Sequence, residues 1–245
     1  MDINAKDKLI VALDVDSADR ALDLFELLRD VVGMFKIGSQ LFTAAGPDVV
    51  RRIVAKGGRV FLDLKFHDIP NTVAAAGMEA TRLGVSIFNV HASGGAEMMK
   101  RAAAAVDEVA AREGLARPKL IAVTLLTSID GNSLVQIGIH NEPQSVVRSW
   151  AQIAADCGLD GVVASPQEID LIRQAVNKRD FLIVTPGIRS GNADDDQRRV
   201  LTAAEAIRAG ADYLVVGRPI LNAKDPAAAA REIVEEIQGA SSELA

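Results

Sequence analysis

The chain has 245 residues, a formal net charge of −6 and 49% hydrophobic residues, which fits one large domain or two small ones with a sizeable core. The acidic balance excludes a broad basic face for nucleic acid, though not a local anion pocket, and an aromatic content of 4% excludes a base-stacking platform. One cysteine excludes an intramolecular disulfide and cysteine-based zinc sites and fits a reducing, cytoplasmic setting.

The opening MDINAKDK carries no apolar signal core, and no later run approaches the ~20 apolar residues of a membrane span. The first apolar run, residues 9–13, ends at Asp14; Leu24, Leu27, Leu28 and Val31 then repeat at helical spacing, with Gly33 as a stop. Residues 34–37 form the second run and carry Lys36. Pro47 is expected at the first position of a helix that Gly57 closes. The third run, 60–64, leads through Asp63 to Lys65. The fourth, 85–90, ends at Asn89 and His91, and an alanine-rich helix covers 102–111. Run 120–125 leads to Thr127 and Ser128, and run 161–164 ends at Ser165. Ser165 to Glu168 reads as a capping box with proline at N1. Cys157, before Gly158 at a helix end, reads as core. Run 181–184 leads to Pro186, Gly187 and Arg189. Thr202 and Glu205 form a second box, closed by Gly210. The last run, 213–216, meets Gly217 and Arg218, and a final helix spans Asp225-Pro226 to Gly239.

The runs are rich in Val, Ile, Leu and Phe with little alternation, as in parallel strands buried on both faces. Eight strand–helix units without a compositional break predict an α/β fold, a single-domain (β/α)8 TIM barrel over residues 1–245, which needs about 250 residues. The alternative is a doubly wound sheet. Its glycine-rich first turn is missing, because the chain has Asp14-Val15-Asp16-Ser17 there.

In a barrel, chemistry lies at the C-terminal ends of the strands. The densest stretch is FLDLKFHDIPNT, from Phe61 to Thr72. Asp63 and Lys65, two apart on a strand, share a side, and Lys36 on the adjacent strand can reach both. Buried charges of this kind are paired or functional. A second cluster, Pro186-Gly187-Ile188-Arg189 with Gly217-Arg218, suits phosphate, since glycines admit backbone N–H groups and arginine binds in a fork. Between them, the polar stretch 190–197 has the character of a lid. His67, His91 and His140 lack the paired spacing of metal ligands.

FLDLKFHDIPNT resembles the active-site motif of the orotidine 5′-phosphate decarboxylase family. The resemblance continues through NVHASGGAEMM, IAVTLLTS, VTPGIR and VVGRPI, in order, over nearly the whole chain. It implies a (β/α)8 barrel that converts orotidine 5′-phosphate to UMP and CO2, the last step of pyrimidine synthesis, with no metal or organic cofactor. It implies that Lys65 donates a proton to C6, that Asp63 lies beside the departing carboxylate, and that Lys36 and Asp68 complete a charge network. It further implies a homodimer in which Asp68, Ile69 and Thr72 enter the neighbouring site. Asp14 and Lys36 would hold ribose hydroxyls, Thr127 would lie by the pyrimidine, Arg189, Gly217 and Arg218 would bind phosphate, and Gln197 would reach in from the lid. The lid reads SGNADDDQ, with Asp195 where the family often has glycine. Metal-dependent phosphosugar decarboxylases of the same superfamily place a glutamate ligand where this chain has Lys36. A non-catalytic nucleotide-binding barrel would not need Asp63, Lys65 and Asp68 together.

Overall fold

The strands are Leu9–Ala12 (β1), Met34–Gly38 (β2), Val60–Phe66 (β3), Ile87–His91 (β4), Lys119–Val123 (β5), Gly161–Val163 (β6), Leu182–Pro186 (β7) and Tyr213–Val216 (β8). Each pairs in parallel with its sequence neighbours, and β1 pairs with β8, so the sheet closes into a barrel. This is the (β/α)8 architecture expected from the alternation of runs. The computed structural model describes residues 4–178, 180–188 and 201–243.

The crossover helices are Ala18–Leu28 (α1), Asp48–Ala55 (α3), Pro70–Arg82 (α4), Gly95–Glu113 (α5), Pro143–Asp156 (α7), Ile169–Ala175 (α8), Ala203–Arg208 (α9) and Pro226–Glu243 (α11). Additional helices, Ser39–Ala45 (α2), Gly131–Gln136 (α6) and Arg218–Leu221 (α10), follow β2, β5 and β8 at the site end. Two apolar clusters result. Ile10, Met34, Phe61, Ile87, Ile121, Val184 and Tyr213 fill the barrel, while the opposite strand faces pack against the helices. That two-sided burial is why the runs scarcely alternate.

The opposite end of the barrel is closed by a repeated device. Asp160, just before β6, accepts the Leu120 N–H of β5 at 2.8 Å and pairs with Arg117 at 2.6 Å. Asp212, just before β8, accepts the Ile183 N–H of β7 at 2.7 Å and pairs with Arg173 at 2.7 Å. Each satisfies a backbone donor that strand pairing alone leaves open.

Several local expectations are borne out. The Thr202–Glu205 capping box forms, and Gly57 and Gly210 adopt φ of +80° and +102°. Cys157 is buried, and burial raises its thiol pKa. Three boundaries differ. Gly33 does not stop α1, which ends at Leu28; a side chain at Gly33 would lie 2.3 Å from the Asp7 Cα, so close approach of two segments requires glycine. Pro47 caps α3 instead of occupying its first turn. Gly239 lies inside α11, whose last turns are held by buried Ile237 and Ala240 and by the Arg208–Glu243 pair at 2.7 Å. Leu27 is half exposed, so the buried stripe of α1 is narrower than its spacing suggests.

Candidate active site

Inward positions of β2 to β4 step from apolar residues to polar ones, while β1 stays apolar. Ile10, Met34, Phe61 and Ile87 lie in the barrel core. Two residues on, each strand presents the same side with Ala12, Lys36, Asp63 and Asn89. Three adjacent strands thus carry inward polar groups near their C-terminal ends.

Those groups are bonded to one another. The Lys36 ammonium pairs with Asp14 Oδ1 at 2.9 Å and with Asp63 Oδ2 at 3.3 Å. The Lys65 ammonium pairs with Asp63 Oδ1 at 2.7 Å. The result is a continuous chain, Asp14–Lys36–Asp63–Lys65, alternating in sign. Lys36 and Asp63 are nearly buried, whereas Lys65 is one-third exposed and Asp14 half exposed at the rim. A buried charge pair of this kind is expensive unless each partner is held, and here each inner group has at least two partners.

The β3–β4 ladder explains how Lys65 joins in. Leu62 pairs with Phe88 and Phe66 with Val90, so Asp63, Leu64 and Lys65 together oppose the single residue Asn89. This bulge bends β3 and puts Lys65 at φ +53°, the one non-glycine residue with positive φ among those described. Such a conformation costs about 1–3 kcal/mol and persists only where its surroundings hold it. The fully buried Asn89 does so: its Oδ1 accepts the Lys65 backbone N–H at 2.8 Å, and its Nδ2 donates to Asp63 Oδ1 at 2.7 Å. Asn89 stood out in the sequence only as a polar strand end; its link to the site depends on a register no spacing rule reveals.

Lys36, Asp63 and Lys65 open into a cavity of ≈ 180 Å³ whose other walls include Phe61, Val123, Thr127, Pro186 and Val215. The cavity combines an apolar wall with a cationic and anionic edge, the composition of a small-molecule site. Thr127 thus lines the same cavity as Lys36, Asp63 and Lys65. Gly217 packs beside Asp14: a Cβ there would lie 3.7 Å from Asp14 Oδ2. Arg218 begins α10 at the end of β8 and is exposed. Arg189 and Gln197 lie outside the described residues.

Asp68, Ile69 and Thr72 take another direction. The chain leaves β3 at Phe66, and all three side chains are exposed around the start of α4. Asp68 Oδ1 accepts the Ile69 backbone N–H at 2.6 Å. Within one chain the second aspartate of the network is thus Asp14, not Asp68.

His91 ends β4, with its ring 5.7 Å from that of His67. Burial, then the neighbouring His67 and Lys65 charges, push its pKa below the ordinary histidine value. The pair flanks the charged chain without joining its ion pairs.

Comparison with known proteins gives this arrangement a family. The model of the Orotidine 5'-phosphate decarboxylase / HUMPS family matches residues 7–233. The chain is 55% identical over 238 residues to the orotidine 5'-phosphate decarboxylase of Moorella thermoacetica, covering 96% of this chain and 94% of that one. It is 55% identical over 234 residues to that of Geobacter sulfurreducens, covering 95% and 97%. The crystal structure of orotidine 5'-phosphate decarboxylase from Lactobacillus acidophilus matches with a TM-score of 0.83 at 38% identity, over 94% of this chain and 98% of that one. Over almost its whole length, then, the chain belongs to the Orotidine 5'-phosphate decarboxylase / HUMPS family.

Proposed function

We infer that residues 1–245 act as one catalytic barrel that decarboxylates orotidine 5′-phosphate to UMP and CO2 without metal or organic cofactor. The activity is that of a carboxy-lyase, as in the relatives. The observation that carries the finer reading is the Lys36–Asp63–Lys65 chain inside the cavity, with a lysine at its open end.

The chemistry follows from where charge moves. The C6–carboxylate bond breaks, its electron pair stays on C6, and CO2 leaves. The Lys65 ammonium gives C6 a proton, forming the new C–H bond, and is reprotonated from water. A cation held at C6 stabilises the transition state more than the ground state, which is what catalysis requires. Asp63 holds Lys65 in place and faces the departing carboxylate. Like-charge repulsion at ~4 Å in an effective dielectric of ~20 is about 4 kcal/mol before relaxation. That is far short of the ~20 kcal/mol scale of a demanding reaction. Binding energy from the remote phosphate, on Gly217, Arg218 and Arg189 with Gln197 closing over it, is therefore needed to bury the charges. Asp14 and Lys36, paired at the rim, are suited to ribose hydroxyls, and Thr127 to the pyrimidine edge.

The site is completed by a second copy of the chain. Ile69 is 67% exposed, more than the other large exposed apolar side chains of the described residues. With Asp68 and Thr72 it forms a projection that a homodimer would insert into the neighbouring mouth.

The rival reading is a metal-dependent phosphosugar decarboxylase of the same superfamily, which would carry a glutamate ligand on the second strand. Here that position holds Lys36, whose ammonium repels a cation. The test is turnover of orotidine 5′-phosphate after exhaustive dialysis against chelator, followed by substrate ultraviolet absorbance. Undiminished conversion to UMP is expected; activity lost on chelation and restored by a divalent metal would overturn the reading. Among the described residues no helix is long and apolar enough to cross a membrane, and we propose a cytoplasmic, small-molecule role with no nucleic-acid partner.

A further inference from the structure

We propose that Asn89 is a positioning residue for decarboxylation, setting the Lys65 main chain and the Asp63 carboxylate relative to one another through two hydrogen bonds from one amide. The inference rests on the functional reading above and goes beyond it, because Asn89 does not itself line the cavity and has no substrate contact in that reading.

Three observations carry it. Asn89 is fully buried and stands opposite the three-residue bulge that carries both charged groups. Its amide is used at both ends: the oxygen accepts the Lys65 N–H at 2.8 Å, and the nitrogen donates to Asp63 Oδ1 at 2.7 Å. That same Asp63 oxygen receives the Lys65 ammonium at 2.7 Å. Asn89, Asp63 and Lys65 thus close a ring in which the left-handed Lys65 main chain, its ammonium and its counter-ion are fixed by one side chain.

The bland alternative is a strand-pairing role, as Asp160 and Asp212 have at the far end of the barrel. Those carboxylates also accept a neighbouring strand's N–H, but their second partners are structural arginines. Asn89 spends its second bond on the site. Only a side chain with a donor and an acceptor at this reach can do both. Aspartate keeps the acceptor for Lys65 but presents a like charge to Asp63. Serine is too short to span the two.

The experiment is steady-state kinetics on orotidine 5′-phosphate for wild type, Asn89→Asp and Asn89→Ser, with UMP binding and the folded fraction measured at the assay temperature. Misplacing a reacting group by about 1 Å can cost about 100-fold. We expect kcat to fall about 100-fold in both variants, with KM and UMP affinity within about threefold of wild type. A kcat within about threefold of wild type in either folded variant overturns the proposal. So does a loss that merely tracks the unfolded fraction, which would leave Asn89 a strand-pairing residue. Folded wild type that does not turn over orotidine 5′-phosphate is a different failure: it overturns the functional reading, and the role of Asn89 with it.

Discussion

The Lys36 ammonium stands 3.3 Å from Asp63 Oδ2, although the Lys36 backbone pairs with Phe61, two residues earlier on β3. The lysine side chain therefore rises one layer along the barrel axis to meet the carboxylate. It passes close to Gly38, the residue that does pair with Asp63: a Cβ there would sit 3.0 Å from the Lys36 Nζ and 3.5 Å from Asp14 Oδ1.

Gly38→Ala should consequently damage the site while sparing the fold. The flexible lysine tip can yield, so the thermal midpoint should stay within about 3 °C of wild type, the size of a small surface change. Moving the ammonium away from Asp14 and Asp63 should lower kcat/KM by about 10- to 100-fold. Unchanged kcat/KM would show that the Lys36 position is not critical.

Gly161→Ala should do the reverse. A methyl at Gly161 would lie 2.2 Å from the Leu182 carbonyl oxygen, on the β6–β7 ladder across the barrel from β2 and β3. Rigid backbone cannot yield as a side-chain tip does, so a loss of about 3 kcal/mol is expected, at the upper end of overpacking. Urea unfolding measures it; a midpoint equal to wild type would refute the tight approach.

His91 should make stability pH-dependent. Its folded pKa is depressed by burial and by the nearby His67 and Lys65 charges, against a weaker opposing effect of Asp63. Above the ordinary histidine pKa of 6.5 both folded and unfolded chains are neutral there and nothing is lost. As pH falls below 6.5, the unfolded chain takes a proton that the folded site resists, so stability declines until the lower folded pKa is passed. Between pH 7 and 5.5, wild type should lose more urea resistance than His91→Gln. Parallel losses would rule out this cause.

The shared site can be tested by complementation. Lys65→Ala and Asp68→Ala should each be inactive alone. If Asp68 reaches the partner's Lys65, a hybrid dimer has one intact site and one doubly damaged site. Random mixing should then restore about one quarter of wild-type activity. No recovery, with subunit exchange verified by differently tagged chains, would show that Asp68 serves its own subunit or none.

Much of this was legible in the amino-acid order because the barrel is built from local rules. Eight two-sided apolar runs announce parallel strands, and the inward period of two turns Lys36 and Asp63 toward the barrel interior. The family resemblance then supplies the substrate. What could not be read depends on tertiary register. The three-against-one bulge sets Lys65 at positive φ and brings Asn89 into contact with it, though no residue in LDLKF is a bulge signal such as glycine. Nor could spacing show that Asp14 closes the in-chain network while Asp68 points to solvent. Glycine misled twice for one reason: it serves close approach at Gly33 and is merely tolerated within α11 at Gly239, and composition does not separate these uses from a helix stop.

The central claim is that Lys65, held by Asp63 at the mouth of the barrel, supplies the proton that completes decarboxylation. Its most direct test compares wild type with Lys65→Ala for orotidine 5′-phosphate turnover and UMP binding on the same folded protein. The expected result is rapid conversion by wild type and a loss of at least about 1,000-fold in kcat for the variant, with UMP still bound, because a group acting chiefly in the transition state is removed. Near-normal turnover by Lys65→Ala would contradict the account.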